Sequence, residues 1–144
     1  MPEGGARRGT SEKILIAIAI FNGLSAIAGG VALMVRPDGA ILHMPTSFLA
    51  GSPFADYFIP GLLLTLFVGG GMLGSAMLLV QRHPYALELT MVTGAALVIF
   101  ELVEFSIIGF NPMQVLYGGL GAVVLGMAAR RWLAEARPKR HALR

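Results

Sequence analysis

Two glutamates in one apolar run are the residues of this chain best placed to do chemistry. Glu101 and Glu104 lie in LVIFELVEFSII, residues 97–108, among large hydrophobic side chains. Three residues apart on a helix, they point the same way, about 60° from each other. Thr90 and Gly94 fall on nearly the same face as Glu101. The acids therefore share a stripe with small and hydroxylic residues, as a bundle-facing side would. A carboxyl pair in such surroundings can hold a proton, a cation or a polar ligand. Keeping one ionised there costs about 2.5–3.5 kcal/mol on membrane-insertion scales, and a second carboxylate nearby adds repulsion. At least one of the two is expected to carry its proton at neutral pH. The structural alternative is a pair of neutral carboxyls hydrogen-bonded across helices, with Asn22, Ser25, Thr65 or Gln114 as partners.

Asn22 is the other deep polar group, and an interhelical hydrogen bond is its expected role. Gln114 and Tyr117, early in the last apolar segment, are placed to reach the level of the glutamates. Glu101, Glu104, Asn22, Gln114 and Tyr117 together form the candidate polar or proton site, with Asp56 and Tyr57 at its mouth. Glu88 lies one turn from Pro84 and reads as a helix-end group within reach of Arg82. His43, His83 and His141 fall in connections or the tail, and the chain has no cysteine. Thiolate chemistry, disulfides and a metal site are therefore not expected. No nucleophile–base pair, phosphate loop or dinucleotide fingerprint occurs, so no catalytic residue and no cofactor are assigned.

The elements that must position these residues are membrane helices. Of 144 residues, 56% are hydrophobic and only 13% charged, and mean hydropathy is +0.73. A soluble domain of this length carries about 25% charged residues. Four apolar segments are read as spans: Lys13 to Val35, Tyr57 to Val80, Tyr85 to Phe110 and Met113 to Ala129. Each is long enough, at ~1.5 Å per residue, to cross a hydrocarbon layer of ~30 Å. Thr10 or Ser11 is expected to cap the first span. Of eleven Lys and Arg residues, only Arg36 lies away from the two tails and the Arg82 connection. That asymmetry predicts both termini in the cytoplasm. It also explains the basic tails without nucleic acid, which would need a folded basic patch.

The expected fold is thus all-α, a membrane-spanning four-helix bundle. Its organisation is a disordered tail at 1–12, a single transmembrane domain at 13–132 and a basic tail at 133–144. Residues 36–56 keep large apolar side chains, among them Ile41, Phe48 and Phe54. This connection is expected on the outer interface or over the bundle mouth. A competing reading makes Arg7, Arg8 and Lys13 the start of a signal peptide cleaved after Ala26-Ile27-Ala28. The apolar run continuing to Val35 argues against it.

Glycine is frequent within the spans. Lipid gives helices no hydrophobic drive to associate, so close backbone approach must hold them. Gly70 and Gly74 in the second span, and Gly118 and Gly126 in the fourth, are the expected packing glycines. Ala26-x-x-x-Gly30 and Gly71-x-x-x-Ser75 are further candidates.

Three segments carry a resemblance: GGVALMVRPDG at 29–39, SPF-DY--PG at 52–61, and Gln114, Tyr117, Leu120 and Gly121. On them the chain resembles small four-span bacterial membrane proteins, DoxX-like in size and topology. The resemblance implies a multi-pass protein of the inner membrane and brings no activity with it. Small multidrug transporters share the size, but their membrane glutamate lies in the first span, where this chain has Asn22. The favoured function is a non-catalytic scaffold or accessory subunit, with the bilayer, further copies or other membrane subunits as partners. The alternatives are an oligomeric proton- or cation-coupled transporter using Glu101 and Glu104, and a membrane enzyme acting on lipid or quinone.

Overall fold

The structure is a computed structural model and describes residues 8–136. Most of the expected N-terminal tail, residues 1–7, and the last part of the basic tail, residues 137–144, lie outside the described residues. The chain is all-helical, with four helices long and apolar enough to cross a membrane: α1 Thr10–Val35, α2 Phe58–Val80, α3 Ala86–Ile108 and α4 Pro112–Ala136.

Local chemistry sets the ends of these helices. Gly9 is the extended residue before α1, and neither Thr10 nor Ser11 caps it, since both are already helical. Glu12 occupies the first turn, where a carboxylate suits the exposed N–H groups. Pro37 follows the C-cap residue Arg36, so the helix stops at Val35. Asp56 accepts the Phe58 N–H at 2.9 Å and opens α2, with Pro60 tolerated in the first turn. Gly109, at φ 78°, terminates α3 before Phe110. Asn111 accepts the Met113 N–H at 3.0 Å, and Pro112 takes the first helical position of α4. That last helix runs to Ala136 rather than stopping at Ala129. Arg131 lies inside it because its guanidinium has a carboxylate to meet on α1.

Within α2, residues Leu64–Gly70 form a π-helical stretch. Thr65 donates its hydroxyl to the Gly61 carbonyl at 2.9 Å beside it. The wider turn changes which side chains of α2 face the bundle.

The helices form two antiparallel hairpins, α1 with α2 and α3 with α4. Three glycine pairs hold them. A Cβ on Gly30 would stand 2.6 Å from the Gly61 carbonyl oxygen, and one on Gly61 2.7 Å from that of Gly30. The same reciprocity holds for Gly23 with Gly69 (3.2 and 3.3 Å) and for Gly94 with Gly121 (3.1 and 3.2 Å). This corrects the expected packing glycines. A Cβ on Gly70, Gly74 or Gly118 would meet its nearest neighbour at 3.7–3.8 Å, and one on Gly126 would meet nothing within 4 Å. Small residues four apart are so common in these spans that spacing alone does not select the seam.

The hairpins join in one half of the bundle, the half that holds Thr10, residues 81–85 and Ala136, here the terminal end. Leu15, Ala19, Met72, Leu79, Val124 and Ala128 form its buried core. Ser75 and Thr93 share a buried hydrogen bond of 3.0 Å between α2 and α3. At the extreme end, Glu12 pairs with Arg8 at 3.4 Å and Arg131 at 3.6 Å, and Arg8 donates to the Val80 carbonyl. Trp132 donates to Glu88 at 3.1 Å. Glu88, read from sequence as a helix-end group, therefore bonds Trp132 across the α3–α4 hairpin. Side chains on the outside of all four helices are apolar, including Leu24, Leu66, Val92, Leu102 and Val115, which suits a lipid environment.

At the opposite, loop end, residues 36–57 fold over the bundle instead of trailing away. A short 3₁₀ turn, Thr46–Leu49, sits in this connection. Tyr57 donates its hydroxyl to the Pro45 carbonyl at 3.0 Å. Leu33, Leu49 and Tyr57 are buried together, with Met44, Phe54 and Ile107 of α3 against them. Arg36 donates to Asp38 at 2.7 Å. That bond, with the Ala40 N–H, holds the Asp38 carboxyl below the usual carboxylate range.

Candidate ligand cavity

The hairpins part in the loop half, and a cavity of about 750 Å³ lies between them. This is within the ~300–1,000 Å³ usual for small-molecule sites. Its walls are mostly apolar. The π-helical stretch contributes Leu64, Phe67 and Val68, and α3 contributes Leu97, Phe100 and Val103. The connection between α1 and α2 closes the top with Leu42, Met44, Leu49 and Phe54. Polar atoms enter at a few points: Asn22, Ser25, Tyr57, Glu101, Glu104 and Tyr117.

Each polar side chain is placed by its helix. Glu101 and Glu104 are adjacent on α3, both part-buried, and Glu101 passes close to Gly118 of α4, where a Cβ would lie 3.7 Å from its Cβ. Gln114 does not line the cavity but stands behind Glu104. Its amide donates to the Gly109 carbonyl at 3.0 Å and reaches Glu104 Oε1 at 3.5 Å, while its oxygen accepts the Asn111 N–H at 3.1 Å. Gln114 thus fixes the α3–α4 turn and aims one carboxylate. Among the described residues, Glu101 has no hydrogen bond. Tyr117 stacks on Phe21 of α1, with ring centroids 6.5 Å apart and planes 10° apart. That contact bridges the hairpins at the edge of the cavity.

Asn22 stands out. It is 1% exposed, lines the cavity, and neither its amide nitrogen nor its carbonyl oxygen has a hydrogen-bond partner. A buried polar group left unmade costs about 1–3 kcal/mol. The expected interhelical hydrogen bond is absent: Thr65 is bonded within α2 and Gln114 within its own turn. Lying midway along α1, Asn22 is the deepest polar point of the cavity, whereas Glu104 sits one turn from the end of α3.

Of the residues singled out from sequence, Asn22, Tyr57, Glu101, Glu104 and Tyr117 border one space and Gln114 stands against it, whereas Asp56 instead opens α2. The loop side chains Leu42, Leu49 and Phe54 were not foreseen as walls; their apolarity in a connection was the available signal. No group of three or more His, Asp or Glu suited to a metal ion occurs among the described residues. No family model, curated protein or solved structure matches the chain, so the resemblance to four-span bacterial proteins rests on the quoted segments alone.

Proposed function

We propose that this chain is a non-catalytic multi-pass protein of the bacterial inner membrane that holds an amphiphile between its two helical hairpins. The carrying observation is the apolar cavity with an unpartnered, buried Asn22 at its depth. A site built to be filled by lipid tails alone has no use for such an amide. The termini are cytoplasmic in this reading and the loop end faces outward, because ten of eleven Lys and Arg residues fall in the two terminal segments of the sequence or the Arg82 connection. A reporter fused after Arg144 and found outside the cell overturns that orientation. Binding is preferred over bond chemistry because no nucleophile–base pair lines the cavity. It is preferred over a channel because the terminal half, from Leu15 to Val124, is packed shut. A scaffold or accessory role in a larger assembly would use the same site as its lipid-facing contact.

The test is photolabelling of the full chain in phosphatidylcholine nanodiscs with a benzophenone-tagged long-chain alcohol. Adducts should concentrate on cavity walls such as Phe67, Val103 and Leu49. Gly29→Phe fills the cavity from α1, where a Cβ has only Leu64 nearby at 3.8 Å. It should cut that labelling about tenfold and leave the unfolding midpoint unchanged. Labelling spread evenly over the outer helix faces, and indifferent to Gly29→Phe, overturns the reading.

A further inference from the structure

Resting on that reading, we infer that the occupant is a cationic amphiphile, a long-chain amine or ammonium, with its charge against Glu101 and Glu104 and a second hydrogen-bonding group at Asn22. Charge complementarity carries the inference. Two carboxyls border the cavity, and among the described residues no Lys, Arg or His lines it. Arg36, at the loop end, is engaged by Asp38, and Arg8 and Arg131 pair with Glu12 at the opposite end of the bundle. Glu104 has one long contact with Gln114 and Glu101 has none, so the pair is left without a counter-ion from the protein. An ammonium supplies it. An anionic ligand would set its charge beside these two carboxyls in an apolar space with no cation to offset it, which is costly at low dielectric.

The walls suit the same chemistry. Phe54, Tyr57, Phe67, Phe100 and Tyr117 ring the polar points, and aromatic faces favour a desolvated cation. Asn22 is the independent second mark of a ligand. Its amide offers both a donor and an acceptor to a hydroxyl or carbonyl on the chain of the amphiphile, deeper than the charged head. The apolar remainder of the cavity takes the hydrocarbon.

Competition separates this from the broader reading. The benzophenone-tagged alcohol labels the full chain in phosphatidylcholine nanodiscs, and unlabelled hexadecylamine, hexadecanol and hexadecanoate are titrated against it. In the parent the amine should displace the label at about tenfold lower concentration than the alcohol, with the acid weakest. In Glu101→Gln plus Glu104→Gln the tagged alcohol should still label the cavity, which also reports an intact fold, while amine and alcohol become equal. Comparing variant with parent in the same bilayer cancels differences in partitioning. An amine no better than the alcohol, an acid that competes best, or an amine advantage that survives both substitutions each overturns the inference. Those outcomes leave amphiphile binding standing, because the alcohol still labels. Absence of any cavity labelling removes both.

Discussion

The terminal and loop halves of the bundle are made from the same four helices and differ in what the hairpins show each other. In the terminal half the facing residues are small or compact: Ala19, Ser75, Ala76, Thr90, Thr93 and Ala128. The hairpins close, and Leu15, Met72 and Val124 fill the remaining space completely. In the loop half the facing residues are large or ionisable, with Phe67, Phe100, Glu101, Glu104 and Tyr117 around the gap. There each hairpin stays tight internally, through Gly30 with Gly61 and the Gln114 bonds, but the two touch only at the rim, through Tyr117 on Phe21 and Ile107 against Leu33, Leu49 and Tyr57. One half supplies cohesion and the other supplies room. Cohesion in lipid comes from contact rather than from water exclusion, so the two halves should respond very differently to lost side-chain volume.

Met72→Ala and Phe67→Ala give the largest expected contrast. Met72 is 0% exposed in the terminal core, and its truncation should cost about 2–5 kcal/mol. Phe67 is 65% exposed on the cavity wall, and its truncation should cost no more than about 0.5 kcal/mol. Unfolding by denaturant in one mixed micelle measures both. Equal losses would mean the hairpins are as firmly joined at the loop end as at the other, and would break the contrast.

Within a hairpin the contrast moves to glycine. Gly30→Ala drives a Cβ into the Gly61 carbonyl and Thr65, and should cost about 1–3 kcal/mol by overpacking. Gly126→Ala meets nothing within 4 Å and should gain up to about 1 kcal/mol from helix propensity alone. The same unfolding titration decides. The opposite order would return the seam to the glycines expected from spacing.

How far the sequence could be read follows from these cases. Four long apolar helices were legible because composition and length leave no other structure in lipid. The grouping of Glu101 and Glu104 was legible from their spacing on one helix. The glycine seam was legible only in part: Gly30 and Gly71 are among the further candidates from spacing, but the rest are not, because the choice depends on the rotation of each helix, which the π-helical stretch at 64–70 alters with no clear local signature. The unpaired state of Asn22 was not legible either. Its type predicts a hydrogen bond, and only the parting of the hairpins at its level withholds one. The pairing of Arg131, in the extended end of α4, with Glu12, more than a hundred residues away in the chain, was likewise not legible.

Asn22→Leu gives a small stability effect, of opposite sign to the core truncation, and sharpens the contrast most. In a packed core, replacing a hydrogen-bonded Asn by Leu destabilises, because its partner is left unmade. Asn22 has no partner to strand, and the added apolar volume has the cavity beside it. The substitution should therefore stabilise the unliganded protein by about 1 kcal/mol, the desolvation cost it removes. The same change should weaken displacement of the tagged alcohol by hexadecylamine bearing a mid-chain hydroxyl, and leave plain hexadecylamine untouched. A gain in stability together with that selective loss marks a residue retained for binding at the expense of packing. A loss of stability would instead place an unseen partner against the amide and move Asn22 from the open half of the molecule to the closed one.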